Sequence, residues 1–152
     1  MGVDYAKFAA VLRELGVSGA VVELPERAPT AASAAAQLGC DVGAIANSLV
    51  FSADGAPLLV MTSGAHRVDT GRVAALIGVS AVQRADASSV RAWTGQPIGG
   101  VGPVGHPAPI RTLTDPDLGT LSRAASCPCT DPPSSVLACH VDDSAFPSSL
   151  RR

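Results

Sequence analysis

The hydrophobic and polar positions of the chain predict short helices that alternate with strands. Over residues 4–15 the apolar side chains recur every three or four positions, which is the period of a helix with one buried face. Three more helices are predicted where a Thr or Asp that can act as an N-cap precedes a helical stretch. The predicted helices are 4–15, 31–38, 69–77 and 87–93, with Asp4, Thr30, Asp69 and Asp86 as N-caps and with Gly16, Gly39 and Gly78 ending the first three.

Apolar runs without the helical period predict the strands. The clearest pair, 48–52 and 57–62, is joined by Ala53-Asp54-Gly55-Ala56, and Asp-Gly between two such runs predicts a tight β-hairpin. Because helices and strands alternate and a hairpin is also present, we expect a mixed α/β sheet, curled, with helices outside. The other predicted strands are 20–24, 79–83 and 110–114.

One stretch, residues 95–107, fits neither pattern. It holds five glycines and three prolines in thirteen residues, and no helix or central strand tolerates that density. Ordinary periodic segments flank it, so it is an internal loop and not a tail. Glycine lets backbone N–H groups approach a ligand, and proline stiffens the chain. We therefore expect a rigid backbone cradle for the polar end of a small substrate.

The composition of the chain changes after about residue 121. The last thirty-one residues carry seven serines, four prolines and three of the four cysteines. We therefore divide the chain into a globular domain, 1–121, and an atypical C-terminal tail, 122–152. Two explanations of the tail stay open, a disordered terminus and a shifted reading frame, since the Ala-, Gly- and Arg-rich body is typical of GC-rich coding DNA.

The overall charge and hydropathy exclude several classes of function. The formal net charge of −2 provides no general basic field, so we expect no DNA partner and only local contacts with other nucleic acids. The sequence contains no run of about 18 apolar residues, so no membrane span is predicted. The N-terminus lacks the pattern of a signal peptide. We therefore expect a cytoplasmic protein without membrane partners. The spacing of the cysteines in the tail is a poor match to a zinc-binding site, so no metal is expected there.

Six short motifs occur in a fixed order along residues 5–118. They are Thr30-Ala31-Ala32, Ile45-Ala46-Asn47-Ser48-Leu49-Val50-Phe51, Ser63-Gly64-Ala65-His66-Arg67-Val68-Asp69, Ala85-Asp86, Thr94-Gly95 and Gly99-Gly100-Val101-Gly102-Pro103-Val104-Gly105-His106. Their order and spacing resemble the YbaK/EbsC family, which includes free-standing aminoacyl-tRNA deacylases and the editing domain inserted in bacterial prolyl-tRNA synthetases.

The resemblance implies a fold and a reaction. The implied fold is α/β, of the mixed α+β kind, with a curled, barrel-like mixed β-sheet flanked by helices. The implied reaction is the deacylation of mischarged aminoacyl-tRNA at its 3′ end, commonly tRNA for proline that carries a wrong small amino acid. No metal or organic cofactor is implied, and prolyl-tRNA synthetase is an expected partner.

The resemblance also assigns candidate catalytic residues. The family's G-x-x-x-P signature falls on residues 99–103, where backbone donors would hold the ester carbonyl and stabilise the developing oxyanion. A plain tight connection is the alternative there. Many relatives carry a lysine where this chain has Asn47, which offers only neutral hydrogen bonds. The candidates are Asn47, Gly99, Gly100, Val101, Gly102 and Pro103.

Other residues are candidates for binding the substrate. A small pocket lined by Leu49, Phe51 and Met61 would select the amino acid by size. His106 is either a general base or a loop histidine bonded to backbone, and Arg67 meets either a tRNA phosphate or an acidic side chain. His66 is expected to be a solvated loop residue. The full set is Thr30, Ser48, Leu49, Phe51, Met61, Gly64, Arg67 and His106.

Two further functions fit the same sequence. In the first, the chain is a binding module for tRNA ends or nucleotide-like ligands, and Asn47 marks the loss of catalysis. In the second, the chain is a truncated, non-functional product, because relatives close the sheet with a strand and a helix beyond the position of Leu118.

Overall fold

The structure is a computed structural model that describes residues 5–16, 21–26, 28–115, 117–118, 124–127 and 137–141. Within these residues no helix is both long and apolar enough to span a membrane. The helices are α1 Tyr5–Glu14, α2 Ala31–Leu38, α3 Thr70–Ile77 and α4 Ala87–Thr94, with a short 3₁₀ turn at Val42–Ala44. The strands are β1 Val21–Glu23, β2 Ile45–Ala53, β3 Ala56–Ser63, β4 Val82–Arg84, β5 Arg111–Thr114, β6 Ala124–Cys127 and β7 Leu137–Val141.

All seven of these strands belong to one mixed sheet. The strand order is β1-β7-β6-β2-β3-β5, and β4 pairs with β2 outside this order. The β2–β6 and β3–β5 pairs are parallel, and the other pairs are antiparallel. Among the described strands, β1 and β5 form the two ends of the order and do not pair, so the sheet is open. The predicted mixed α/β sheet flanked by helices is confirmed.

The predicted hairpin forms the centre of the sheet. β2 and β3 pair from Ala46↔Ser63 to Ala53↔Ala56, so the turn contains only Asp54 and Gly55. Both turn residues have positive φ, +48° and +87°, as this type of two-residue turn requires. The Asp54 carboxylate also accepts hydrogen bonds from the N–H groups of Ser80 and Ala81, at 2.8 and 2.9 Å. The turn is therefore tied to the segment that leads into β4.

The other edge of β2 is shared between two strands. β6 pairs with residues 45–47 of β2, and β4 pairs with residues 51–53. Beyond the end of β4, the Ala85 N–H donates to the Val50 carbonyl at 3.2 Å. The described strands therefore leave this edge of β2 uncovered near Ser48 and Leu49.

Local capping fixes the helix ends. The side chains of Thr30, Asp69 and Asp86 accept hydrogen bonds from the N–H groups of Ser33, Arg72 and Ser89, which confirms three predicted N-caps. Gly39 and Gly78 end their helices in the left-handed conformation, which glycine adopts without strain. The predicted N-cap Asp4 lies outside the described residues.

The two faces of the β2–β3 hairpin pack against different helices. On one face, Ala46, Val50 and Met61 pack with Val90 of α4 and Val101 of the following loop. The opposite face carries Phe51, Ala53, Leu58 and Val60, which pack with Ala74 of α3. Strand alternation therefore assigns even-numbered residues of β2 to the α4 face and odd-numbered residues to the α3 face.

Two strands lie beyond the predicted domain boundary at residue 121. β6 pairs with β2, and β7 pairs with both β6 and β1. These two segments of the predicted tail thus belong to the same sheet as the body of the chain. Most of 122–152 lies outside the described residues, and the division at 121 stays a prediction.

Candidate active site

A small cavity of about 30 Å³ opens beside the uncovered edge of β2. β2 forms one wall, the end of β4 with α4 forms the second, and the glycine loop (residues 95–107) forms the third. The lining residues are Ser48, Leu49, Val50, Arg84, Ala85, Val90, Ile98, Gly99 and Val101. Four of them, Ser48, Leu49, Gly99 and Val101, are candidates that the sequence had singled out.

Thr94 anchors the start of the glycine loop. Its hydroxyl, which is completely buried, donates to the Val90 carbonyl at 2.7 Å and accepts from the Gln96 N–H at 3.1 Å. The Gln96 side chain then spans the loop, since its Oε1 accepts from the Gly102 N–H and its Nε2 donates to the Val104 carbonyl at 3.4 Å. The loop is therefore held by internal bonds, as a rigid cradle requires.

Within residues 99–103, two N–H groups have no hydrogen-bond partner among the described residues. The Gly100 N–H donates to the carbonyl three residues earlier at 2.9 Å, and the Gly102 N–H is bound by the glutamine side chain. Pro103 has no N–H group. Within the described residues the N–H groups of Gly99 and Val101 have no acceptor, and both residues line the cavity. Ile98, which also lines the cavity, likewise has an N–H group without an acceptor among the described residues. Three loop residues therefore offer donors there, and the cradle stays a prediction.

The glycines of the loop are required for different structural reasons. Gly99 and Gly105 have φ of +79° and +85°, a region that costs other residues about 1–2 kcal/mol. A Cβ on Gly102 would lie 2.5 Å from the Phe8 ring, so α1 packs directly on the loop at that point. Phe8 and Leu12 are buried, and α1 therefore closes the outer side of the loop.

The residues expected to form a size-selective pocket divide between the cavity and the core. Leu49 lines the cavity, but its side chain packs against the cluster on the α3 face, as expected for an odd-numbered residue of β2. Phe51 and Met61 are only 3 % and 4 % exposed and pack in the hydrophobic clusters on opposite faces of the hairpin. Ser48 lines the cavity, and within the described part of the chain its hydroxyl bonds only to the Met61 sulfur, at 3.2 Å, which is a weak acceptor. Val90 and Val101 supply the apolar wall instead of Phe51 and Met61.

Asn47, a candidate catalytic residue, is not among the residues that line the cavity. It is an odd-numbered residue of β2 and pairs with Thr62 of β3, so its side chain points to the face opposite Ser48. Its Oδ1 is buried and has no hydrogen-bond partner within the described residues. The sequence could not show this, because it does not reveal which face of a strand meets the loop.

Three other predicted substrate residues lie away from the cavity. Thr30 and Ser33 bond reciprocally as a capping box at the start of α2. Gly64 donates its N–H to the Ile45 carbonyl at 2.7 Å, and a Cβ there would lie 2.5 Å from the Val42 carbonyl oxygen. Arg67 is exposed in the loop before α3. The first two positions therefore have structural explanations of their own.

His106 is a loop histidine bonded to backbone, one of the two expected alternatives. Its Nε2 lies 3.0 Å from the Gly102 carbonyl oxygen, and it is half-buried. Burial lowers the pKa of the imidazole below its usual value, although the bond to Gly102 opposes this shift. The ring is therefore neutral at neutral pH, and its contact with Gly102 lies within the glycine loop.

His66 belongs to a polar network that the sequence did not indicate. Its Nδ1 lies 2.7 Å from Asp115 Oδ2, and its Nε2 lies 3.4 Å from Asp117 Oδ2. The same Asp115 oxygen accepts from the Ser63 N–H at 3.1 Å. The side chain is 46 % exposed but is paired, which corrects the expectation of a simply solvated residue. Forty-nine residues separate His66 from Asp115, so no local pattern could join them.

The electrostatics of this network favour the charged pair. The hydrogen bond to Asp115 and its negative charge raise the pKa of His66. Burial acts to raise the pKa of Asp115, but the hydrogen bonds from His66 and from the N–H groups of Asp117 and Ser63 outweigh it, and the pKa is lowered. Ligand atoms of His66, Asp115 and Asp117 lie within 4.8 Å of one another. Since they already bond to one another, we assign no metal there.

Arg84 lines the cavity and was not among the residues that the sequence singled out, although its pairing with Phe51 places its side chain on the α3 face. Among the described residues that line the cavity, it is the one with a charged side chain. It is exposed at the last position of β4, directly before the Ala85-Asp86 motif. In the sequence, only its position between the short predicted strand and the Ala85-Asp86 motif could have indicated that it lies near the site.

These features define an α/β domain with a small cavity between β2, α4 and the glycine loop. A family model for the aminoacyl-tRNA editing domain matches residues 25–137. The chain therefore belongs to the aminoacyl-tRNA editing domain family. The match extends past residue 121 into the segment that contains β6.

Individual relatives and a solved structure are similar to this chain. Proline–tRNA ligase of Nitratidesulfovibrio vulgaris is 31 % identical over 102 residues, which are 66 % of this chain and 18 % of the ligase. Proline–tRNA ligase of Bacillus licheniformis is 34 % identical over 92 residues, 60 % of this chain and 16 % of the ligase. The chain thus spans less than a fifth of the length of these ligases. A crystal structure described as a candidate trans-editing enzyme for prolyl tRNA synthetase superposes with a TM-score of 0.78 at 33 % identity, covering 91 % of this chain and 87 % of the other.

Proposed function

We propose that this chain is a trans-editing hydrolase that deacylates mischarged aminoacyl-tRNA, with tRNA for proline carrying a wrong small amino acid as its substrate. Membership of the editing-domain family and the likeness to proline–tRNA ligases support the substrate class. The observation that carries the proposal is the pair of unbonded N–H groups of Gly99 and Val101 at the cavity. In this proposal the protein acts in the cytoplasm beside prolyl-tRNA synthetase.

The two open donors would bind the ester carbonyl oxygen. As water attacks the carbonyl carbon, negative charge develops on that oxygen, and preorganised N–H groups stabilise it. Attack by the neighbouring ribose hydroxyl instead moves the acyl group onto that oxygen, and water must still release it. The acyl–oxygen bond to the ribose then breaks. When water attacks, its hydroxyl stays on the amino acid and the ribose oxygen recovers a proton. No described cavity-lining side chain is a general base, so catalysis by this site is positional and electrostatic.

The cavity walls would select the amino acid. The cavity volume of about 30 Å³ exceeds the roughly 10–15 Å³ that one water molecule requires. Val90 and Val101, 2 % and 3 % exposed, form apolar walls that are packed into the core. Such walls accept a small side chain and exclude a larger one, because the core behind them is close-packed.

A deacylation panel with two matched glycine variants tests this proposal. The purified full chain is incubated with tRNA for proline charged with alanine, serine, cysteine or proline, and release of the amino acid is measured. In Gly99→Ala the positive φ is strained and the cavity donors shift, so we expect kcat to fall about 10- to 100-fold. Gly105→Ala carries the same backbone strain away from the cavity and controls for folding.

Two outcomes contradict the proposal. The first is that the wild-type chain releases no amino acid from any member of the panel. The second is that Gly99→Ala and Gly105→Ala lose activity equally, which would remove the glycine loop donors from the mechanism.

A second candidate function is a tRNA-end or nucleotide-binding module without catalysis. It is favoured by one observation, that the neutral Asn47 side chain points to the face of β2 opposite the cavity residue Ser48. Asn47→Lys distinguishes the two candidates. If hydrolysis appears only in this variant, the natural chain is a binding module. If the wild type already hydrolyses and the variant adds little, the hydrolase proposal stands.

A further inference from the structure

We propose that the uncovered edge of β2 binds the aminoacyl group of the substrate as if it were one residue of an added parallel strand. The Ser48 carbonyl accepts a hydrogen bond from the α-ammonium group, and the Val50 N–H donates to the ester carbonyl oxygen. This inference rests on the proposed function and goes beyond it, because it restricts the substrate to esters whose amino acid has a free α-amino group.

The pairing of the hairpin decides which backbone groups of β2 face that edge. In a two-residue hairpin the residues next to the turn, here Ala53 and its partner on β3, bond to each other. Because bonded and non-bonded pairs alternate along an antiparallel ladder, the odd-numbered residues of β2 bond to β3. The bond from the Gly64 N–H to the Ile45 carbonyl, at 2.7 Å, fits the same alternation. The backbone groups of Ser48 and Val50 therefore point away from β3, to the edge that β4 and β6 share.

Two groups on this edge have no partner within the described residues. The parallel ladder with β6 ends at Asn47, where its slanted bonds reach the Ser48 N–H. The antiparallel ladder with β4 ends at Phe51, and the Ala85 N–H beyond it donates to the Val50 carbonyl at 3.2 Å. The Ser48 carbonyl and the Val50 N–H remain, although Val50 is only 9 % exposed. A buried backbone donor without an acceptor is rare in folded proteins, so this one points to a bound molecule.

The cavity reaches these two groups. Its lining includes three consecutive residues of β2, 48–50, and two consecutive residues at the end of β4, 84–85. Successive side chains of a strand lie on opposite faces, so a cavity confined to one face cannot be lined by three in a row. The lining therefore follows the backbone edge in the gap between β6 and β4. This also explains why Leu49 and Arg84 line the cavity although their side chains belong to the α3 face.

An aminoacyl ester carries the complementary groups at the matching spacing. The same bonds separate its α-amino nitrogen from its carbonyl oxygen as separate the N–H and C=O of one residue in a protein chain. In a parallel ladder, such a residue donates to one carbonyl of the neighbouring strand and accepts from the N–H two residues further along. The Ser48 carbonyl and the Val50 N–H form this pair. Addition of an extended segment to an open strand edge is a recurring mode of recognition.

The α-ammonium group would meet only neutral acceptors in the cavity. None of the described lining residues carries a carboxylate, so a backbone carbonyl takes the place of the acidic side chain that often binds an ammonium group. A hydrogen bond from a charged donor is stronger than one between neutral groups. The site should therefore distinguish an aminoacyl group from an acyl group of the same shape without the amine.

The test compares stable probes that differ only at the α-position. The amide 3′-alanylamino-3′-deoxyadenosine carries the ammonium group, and its 3′-propionylamino analogue carries a hydrogen atom there. Each probe is titrated calorimetrically into the full chain. We expect the alanyl probe to bind about tenfold more tightly, as for a charge-assisted hydrogen bond. The preference should shrink as the pH rises above about 8, where an α-amino group loses its proton.

A pair of backbone variants tests the Val50 N–H. Incorporation of the α-hydroxy analogue of valine at position 50 replaces that amide by an ester and removes the N–H. Both probes should then bind about fivefold more weakly, since both carry the carbonyl group. The same replacement at Ser52 removes an N–H that the β4 ladder uses, so it should lower the midpoint of chemical denaturation more and leave the binding of both probes unchanged. The two esters weaken equivalent carbonyls toward β3, those of Leu49 and Phe51, which makes them a matched pair.

Ser48→Ala separates the carbonyl of this residue from its hydroxyl. The hydroxyl already bonds to the Met61 sulfur, at 3.2 Å, so the preference for the alanyl probe should persist in this variant. Loss of the preference in Ser48→Ala would overturn the assignment of the ammonium group to the carbonyl.

The possible results distinguish this inference from the proposed function. Equal binding of the two probes by the wild type, or no binding of either, overturns the pairing with β2, whatever the deacylation panel shows. Equal losses of binding in the two ester variants also overturn it. If the alanyl preference and the effect of the ester at Val50 are found but no aminoacyl-tRNA is hydrolysed, the pairing stands and the hydrolase proposal fails.

Discussion

The glycine loop and the β3–α3 loop, residues 63–69, both contain glycine and histidine, but they use their backbone donors in opposite ways. In the glycine loop, Gly99 and Val101 line a cavity, and their N–H groups have no acceptor among the described residues. In the β3–α3 loop, the four consecutive N–H groups from Ser63 to His66 are all hydrogen bonded. The first loop has the capacity to bind a ligand, whereas the second stabilises the fold. A family motif therefore does not by itself reveal which of these it is.

The glycines of the two loops give the largest expected difference. A Cβ on Gly64 would lie 2.5 Å from the Val42 carbonyl oxygen and 2.7 Å from Ala31 Cβ, and neither atom can move freely. Gly64→Ala should therefore lower the free energy of unfolding by about 2–3 kcal/mol, measured by chemical denaturation. Gly43→Ala, whose Cβ would meet nothing closer than 3.7 Å, is the control. Equal losses in both variants would contradict a close-packing role for Gly64.

The apolar wall of the cavity gives an intermediate effect. Val101→Ala enlarges the cavity, so activity on the next larger amino acid should rise about tenfold relative to alanine, as one methylene is worth about 1–3 kcal/mol in such a pocket. The ratio of kcat/KM values measures this. Val60→Ala truncates a buried valine of the other cluster and should lose similar stability without a change in preference. A shift in both variants would point to general loosening of the core.

The two histidines give the smallest expected effect, which is a change in how stability depends on pH. The change has opposite signs for the two residues. The raised pKa of His66 means that its contribution is complete below about 6.5 and is lost as pH rises through the raised value. The lowered pKa of His106 means that its neutral form is favoured, so stability falls as pH drops below about 6.5. Thermal unfolding across this range should therefore lose its alkaline slope in His66→Gln and its acidic slope in His106→Gln. The same change in both variants would contradict the two assignments.

The structural elements that are determined by residues adjacent in sequence were predictable. Asp54-Gly55 specified a hairpin because both positions need positive φ, and Thr30, Asp69 and Asp86 capped the helices they precede. The strands of the hairpin are longer than the apolar runs that predicted them, since β2 begins at Ile45. Pairing with a neighbouring strand extends a strand past its apolar core, and no local pattern contains that information.

The candidate site was predictable only in part, for a related reason. Gly99 and Val101 were found because density of glycine and proline is a local signal, and both line the cavity. The face of Asn47 was not predictable, because both faces of β2 are buried and such a strand shows little alternation. Arg84 and the His66–Asp115 pair depend on tertiary proximity alone. The roles of all these residues in catalysis stay predictions.

The contact between His66 and Asp115 restricts the chain segment that forms the cavity walls, although neither residue lines the cavity. The contact joins two points 49 residues apart, and the segment between them carries α3, β4, α4 and the glycine loop. Closing a chain segment at its ends removes most of the conformations available to its interior. Together with the parallel β3–β5 pairing, the contact restricts the whole segment that supplies two of the three cavity walls. The polar network thus holds the two ends of this segment together, and this lowers the conformational entropy that the segment still has to lose when the cavity walls become ordered.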